Sequence, residues 1–321
     1  MLPSPSREPF DSPSHIFEII WDGVRALLFA ERGGVRIQDG YGRNVSTLYP
    51  ELQAVTSCVK GSGVVLDGVI VCLDNEGRPD FARLHRRITA SDDAKANLMA
   101  DEVPVTFQAF DILYRNGLTV MAQPLLRRKT LLRQTVRTHG TLAVPDFVER
   151  EGVAFFEAAR AHDLQGIVAK ERESCYAPGV RSRSWLTARV YERDKFVIGG
   201  YTYGHALRPG HPAVTNAPFD SLLLGQYDAA RAFHFVGAVE GAFDGRVANE
   251  IVRRLDSLPS PECPFVDPTP QGRLIFWCRP ELVVRVRFAE RSIAGRLRFP
   301  LFEWLRPDVP ALACRLPEDV P

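Results

Sequence analysis

Apolar and polar positions alternate from Ile16 onward, and runs rich in valine, leucine and isoleucine continue to about Val71. Alternation of period two with β-branched residues marks half-buried strands. FEIIWDGVRALLF (17–29) and VVLDGVIVCL (64–73) each read as a strand, an Asp-Gly turn or kink, and a second strand. The spacing turns helical around PDFARLHRRI (79–88), which opens on a proline, a residue common at helix starts. VTFQAFDIL (105–113) reads as strand, LLRRKTLLRQTV (125–136) and VAFFEAARAHD (153–163) as helices, and QGIVAKE (165–171) as strand again. Strands and helices in separate blocks predict an α+β fold and exclude a doubly wound sheet.

The texture changes near residue 192. KFVIGGYTYG, SLLLGQYD, RAFHFVGAVEG, LIFWCRP and ELVVRVRFAE are five short strands, interrupted by one helix, DGRVANEIVRRLDSL. Five strands around one helix fit a small Greek-key barrel of the OB type. The expected organisation is a tail over 1–14, a first domain over 15–192, and a barrel domain over 193–321 that ends in a C-terminal tail. At 321 residues the chain can bury two cores.

Composition adds little to this picture. Hydrophobic residues make up 45% and charged residues 25%, as in ordinary globular proteins. No apolar run reaches the length of a membrane span, and the opening MLPSPSREPFDSPS lacks the apolar core of a signal peptide, so a cytoplasmic protein is expected. The cysteines at 58, 72, 175, 263, 278 and 314 show no CxxC and no metal-ligand spacing. They are expected as buried reduced thiols, and no metal site is expected. Net charge is +1, but five lysines stand against thirty-five arginines. That skew matters for chemistry: arginine can replace lysine as a phosphate clamp but not as a nucleophile.

Single Asp-Gly pairs are weak signals, since this dipeptide is a common hairpin turn. Several patterns in one fixed order are far more specific. Glu18-Ile19-Ile20-Trp21-Asp22-Gly23-Val24-Arg25 fits E-x-K-x-D-G-x-R at every specified position but one. Leu66-Asp67-Gly68-Val69 follows, then Phe107–Leu113, then Pro124-Leu125-Leu126-Arg127-Arg128. Gln165-Gly166-Ile167-Val168-Ala169-Lys170 comes next, followed by Ser174–Gly179 and Ser184-Trp185-Leu186-Thr187-Ala188-Arg189. VIGGYT (197–202), PELVVRVRFAE (280–290) and Arg298-Phe299-Pro300-Leu301-Phe302 complete the series. With these, the chain resembles the covalent nucleotidyltransferases, most closely the ATP-dependent DNA ligases of bacterial end-joining, over about residues 9–308.

The resemblance implies an adenylation domain of ATP-grasp-like antiparallel sheets with helices, followed by an OB-fold domain. It also implies ATP and Mg²⁺ as cofactors and nicked or broken duplex DNA as partner, with DNA repair proteins as further partners. It assigns the nucleotide pocket to Glu18, Asp22, Gly23, Arg25, Asp67, Val69, Phe110, Gln165, Lys170, Thr187 and Arg189, with Phe110 as the platform for the base. Arg285, Arg287, Arg296, Arg298 and Arg306 are candidates for DNA contact; between 279 and 306 seven arginines face three glutamates.

The resemblance also shows what is missing. The family's reaction begins when a lysine attacks the α-phosphate of ATP, and the lysine position is Ile20, which has no lone pair. Val69 and Gln165 stand where the family has glutamates near ribose and metal, and a neutral amide is a poor ligand for Mg²⁺. Thr187 and Arg189 occupy two phosphate-clamping lysine positions, Gly40 a second pocket arginine, and Val309 the last lysine. Asp22, Arg25, Asp67, Phe110, Lys170, Arg306 and Asp308 remain in place. Three readings follow: a pseudoligase that binds DNA or repair partners without forming lysyl-AMP, an active ligase with a displaced nucleophile such as Lys170, and a non-catalytic ATP or AMP sensor.

Overall fold

The computed structural model describes residues 1–6, 8–89, 93–203, 219–240, 243, 245–269, 274–292 and 294–317. Two compact units divide the chain, Met1–Val190 and Tyr191–Pro321.

In the first unit β1 (Leu2–Pro5) and β2 (Ser12–Ile19) precede β3 (Val24–Glu31), β4 (Gly34–Asp39) and β5 (Val64–Cys72). Helices α1 (Phe81–Ile88) and α2 (Asp93–Glu102) lead into β6 (Val105–Arg115) and the short β7 (Leu118–Thr119). Then come α3 (Leu125–Thr135), β8 (Leu142–Ala143), β9 (Val148–Arg150), α4 (Gly152–Ala161), β10 (Gly166–Glu171) and β11 (Arg181–Arg189). One sheet runs β1-β11-β10-β2-β9 and the other β4-β3-β5-β6-β7, with β8 beside β6. The chain crosses between the sheets at residues 20–23, where β2 gives way to β3. Gly23 permits that crossing, because a Cβ there would lie 2.2 Å from the Ile70 carbonyl oxygen. The larger core packs α1, α3 and the 3-10 segment Pro50–Cys58 on the second sheet through Leu28, Leu52, Ile70, Leu84, Phe107 and Leu132.

The second unit contains β12 (Glu192–Tyr203), β13 (Ser221–Tyr227), β14 (Phe233–Glu240), α5 (Gly245–Leu255), β15 (Leu274–Trp277) and β16 (Val283–Phe288). The hairpin of β17 (Glu290–Arg291) and β18 (Leu297–Arg298) and the strand β19 (Leu301–Leu305) follow. The order is β14-β13-β12-β16-β19, with β15 also on β12. Helix α5 inserts Ala248, Ile251 and Leu255 into a core shared with Phe196, Leu224, Val236 and Val284. Gly199 lets β12 bend over the aromatic cluster beneath it, since a Cβ would meet the Phe265 ring at 2.4 Å. The whole is α+β, an adenylation-type domain followed by an OB fold.

Several details differ from the sequence expectations. Residues 1–14 are not a tail: Leu2–Pro5 pairs in parallel with β11, Ser12–Ile19 is a strand, and Met1 is buried. Pro3 and Pro5 are tolerated because β1 is the edge strand of its sheet and needs donors on one side only. Of the turn or kink expected at Asp67-Gly68 the structure shows the kink: the pair lies within β5, where the register against β6 shifts as in a bulge. Helix α1 is capped by Asp80, whose side chain accepts from Arg83 N, and Pro79 lies before the cap. Helix α2 has no counterpart in the expected elements: Ala96 and Met99 point inward but Leu98 faces solvent, which blurs the helical spacing. Strands β17 to β19 add to the five expected in the barrel. Cys58, Cys72, Cys278 and Cys314 are buried, but Cys175 and Cys263 are exposed, and all are free thiols. No helix among the described residues is long and apolar enough to cross a membrane.

Candidate functional site

Strand register assembles the pocket. On β10 and its neighbours, Val168 faces Glu18 and Thr187, while Lys170 faces Ile16 and Trp185. Successive residues of a strand point to opposite sides, so Glu18, Val168, Lys170, Trp185, Thr187 and Arg189 share one face of the first sheet. On the second sheet Arg25 faces Val69, Leu27 faces Asp67, and β6 brings Phe110. A cavity of about 590 Å³, open to solvent, lies between these faces. Glu18, Ile20, Arg25, Val69, Phe110, Lys170, Thr187 and Arg189 line it, together with Pro3, Trp21 and Trp185. Gln165 and Asp67 are not part of the lining but bond to Arg189 and Arg25, which are, and Asp22 and Gly23 lie at the crossing from β2 to β3.

The charges of the pocket are matched to one another. Glu18 is buried and holds two lysines, Lys129 Nζ at 2.6 Å from Oε1 and Lys170 Nζ at 3.0 Å from Oε2. Burial opposes its charge, but the two ammonium groups outweigh that and keep its carboxyl below the usual range. Lys170 is displaced in the other direction: burial, with Lys129 adding repulsion, lowers it to about 8 despite Glu18. Its ammonium lies 4.2 Å from the centroid of Phe110 and 4.4 Å from that of Trp185. The ring expected to receive a base therefore already has a cation against it.

A second cluster sits beside the first. Arg25 donates to both oxygens of the fully buried Asp67, at 3.0 and 2.6 Å, and the Tyr176 hydroxyl donates to Asp67 Oδ2 at 2.7 Å. Burial weakens the guanidinium's charge, but Asp67 more than restores it and raises Arg25 above its ordinary value. Burial and then Asp67 push the Tyr176 phenol far up, so it stays a donor. Asp111 and Arg128, both buried, pair bidentately at 2.9 Å, and Arg128 also donates to Ser174 O. That pair joins the platform strand, α3 and the loop that carries Tyr176.

Ile20 is a buried aliphatic residue whose backbone N donates to Gly166 O. Arg189 donates to Gln165 Oε1 at 2.9 Å, and the Thr187 hydroxyl makes a long bond to Ser4 O at 3.4 Å. These residues do not fit a divalent cation: the buried carboxylates of Glu18, Asp67 and Asp111 are each held by cations or a phenol, while Val69 and Gln165 supply no charge. Among the described residues no group of three His, Cys, Asp or Glu is arranged for a metal. Lys129, Tyr176, Trp185 and the Asp111–Arg128 pair complete the site without having been singled out individually. The signal was present for Lys129 and Arg128, because LLRRKTLL places three consecutive cations on a helix that can expose only some of them.

The DNA-contact candidates separate. Arg285 and Arg287 stand on one face of β16, beside Trp304 and Tyr191. Arg296 lies over the Phe235 ring and reaches Pro268 O, Arg298 pairs with Glu290, and Arg306 is bidentate with Asp308 at 2.8 and 2.7 Å. Val309 packs against the small core under Phe233 and Phe265. Near that core His234 bridges Asp228 and Asp267, each at 3.1 Å.

Comparison with known proteins bears on the fold and the family. The chain is 33% identical over 294 residues to the multifunctional non-homologous end joining protein LigD of Mycolicibacterium smegmatis, covering 91% of this chain and 36% of that protein. It thus spans about a third of the length of that relative. It is 29% identical over 202 residues to the SPbeta prophage-derived DNA ligase-like protein LigB of Bacillus subtilis, covering 63% of this chain and 71% of the other. A solved mycobacterial DNA ligase D, complexed with ATP and MES, is 30% identical with a TM-score of 0.52, over 97% of this chain and 96% of the other. Residues 6–188 match the ATP dependent DNA ligase domain, and residues 215–309 match the ATP dependent DNA ligase C terminal region. With both regions present in order, the chain belongs to the ATP-dependent DNA ligase family.

Proposed function

We propose that this protein serves DNA end joining as a pseudoligase: it binds nicked or broken duplex DNA, or repair partners, and does not form a lysyl-AMP intermediate. The observation that carries the reading is Ile20, a buried aliphatic at the nucleophile position of an otherwise preserved scaffold. Attack on a phosphate needs a lone pair held in line with the leaving group, and no pH gives isoleucine one. The surroundings support the same reading. Phosphoryl transfer depends on positioned charge, and removing one such group typically costs about 10²–10³ in rate. Here two carboxylate positions and one clamping lysine position are neutral, and Glu18, Lys129, Lys170, Arg25 and Asp67 satisfy one another. The end-joining role rests on the likeness to LigD, and DNA as partner rests on the family.

The test is nick sealing by the purified protein, with ATP and Mg²⁺ or Mn²⁺, on an ordinary nick and on a nick already carrying 5′-AMP. The reading expects neither to be sealed. Sealing of the ordinary nick would overturn it, and sealing of the adenylylated nick alone would restrict the lost activity to the earlier steps.

One observation favours a second reading, an active ligase with a displaced nucleophile. Lys170 lines the same cavity, and its value of about 8 leaves a usable neutral fraction near neutrality. Against it stands the ion pair with Glu18, which holds the amine to the wall. Loss of sealing in Lys170→Arg, with the positive charge retained, is the result this second reading requires.

A further inference from the structure

The outer face of the OB sheet carries a large aromatic side chain that no core uses. Between β12 and β16 the register sets Arg193 opposite Arg287 and Lys195 opposite Arg285, so four cations share one side of the sheet. A register shift against β19 sets Trp304 opposite Arg285, and the indole is 48% exposed. The Arg285 guanidinium lies 5.5 Å from the Trp304 ring centroid, and that of Arg287 lies 4.9 Å from Tyr191. Glu303 braces the array, pairing with Arg193 at 3.1 Å and Arg285 at 3.5 Å. Asp308, the neighbouring acid, is already engaged by Arg306. Cations therefore outnumber carboxylates around a half-exposed indole.

We propose that this face binds an unpaired DNA strand beside a break, with a base stacked on Trp304 and adjoining phosphates on Arg285 and Arg287. This rests on the DNA-binding reading above and adds the kind of strand recognised. The chemistry favours a single strand. Along a duplex, away from its ends, the faces of the bases are covered by their neighbours and only edges reach the grooves, so an indole finds no partner there. An unpaired base offers its whole face, and cations flanking an aromatic platform are the usual means of holding such a strand.

The experiment measures binding of the full chain to a labelled blunt duplex and to the same duplex extended by an oligo-dT tail, across a salt series. Native protein should bind the tailed duplex more tightly. Trp304→Ala should remove that gain, roughly tenfold or more, and leave blunt-end affinity unchanged, whereas Trp304→Phe should keep most of it. Arg285→Ala with Arg287→Ala should weaken tail binding and reduce its salt slope by about 0.7 for each phosphate that is no longer neutralised. A tail that adds nothing in the native protein overturns the proposal while the DNA-binding reading stands. Equal weakening of both substrates by Trp304→Ala also overturns it. Absence of binding to either substrate removes both.

Discussion

Lys170 and Arg285 both lie close to an aromatic ring and to a glutamate, yet their settings are opposite. Lys170 is buried, Glu18 holds it at 3.0 Å, and two rings lie against its ammonium. Arg285 is half-buried on an open sheet face, and its glutamate is shared with Arg193. Buried charges must be matched internally because desolvation is costly, and once matched they resist separation. Charges on an open face can exchange water and ions for phosphate at little cost. The pocket therefore carries polar residues as parts of its framework, while the barrel face presents them outward. A ligase scaffold that has lost its chemistry but kept its grip on DNA would show this contrast.

The contrast can be broken most severely at Glu18. Glu18→Ala would leave Lys129 and Lys170 buried without a counter-charge and should cost about 3–5 kcal/mol, read from the urea midpoint. A loss of only a few tenths would mean that water reaches the pair and that the pocket is not a closed framework. Ile20→Ala is expected to cost about 2–5 kcal/mol if the residue acts as core, and Ile20→Val about 0.5–1.5. Tyr176→Phe removes one donor from the buried Asp67 and should cost about 1.5–3 kcal/mol. Its effect should shrink to about 0.5–1.5 kcal/mol in an Asp67→Asn background, where the acceptor is neutral.

The barrel supplies the smaller effects. Burial works against the charge on His234, but Asp228 and Asp267 raise its pKa overall. A group raised on folding stabilises fully below its unfolded value, about 6.5, and loses that contribution as pH climbs through the folded value. The Tm difference between the native protein and His234→Gln should therefore be largest in mild acid and shrink on the alkaline side. A difference that grows with pH would contradict the assignment. Arg306→Ala, which breaks an exposed pair, should leave the Tm almost unchanged, because water and salt screen such pairs.

The sequence carried the α+β class, the barrel and its helix, and most of the cavity lining, because strand alternation and an ordered set of motifs are local signals. What it concealed depended on long-range pairing. Met1–Pro5 looked like a tail because prolines discourage strands, and only the partner β11 makes an edge strand of it. Asp67-Gly68 reads in sequence as a turn or a kink, and only the register with β6 decides for a bulge within one strand. Lys129 lies over a hundred residues from Glu18, and nothing in the helix that bears it names its partner. The five candidate arginines read as one set in sequence, but the fold divides them: Arg285 and Arg287 share a face of β16, while the other three are engaged by a ring and a carbonyl, by Glu290 or by Asp308. In sequence Trp304 is one aromatic in a short strand, indistinguishable from a core residue until its exposure is known.

The central claim, that Ile20 removes the first covalent step, is tested most directly by transfer of α-labelled ATP to the protein. AMP-free native protein and Ile20→Lys would be incubated with the label and Mg²⁺ or Mn²⁺, beside an active ligase, with folding of the variant checked by its thermal transition. The account predicts no covalent label on the native protein. Label on the native protein, mapped to Lys170 or to any other residue, would contradict it.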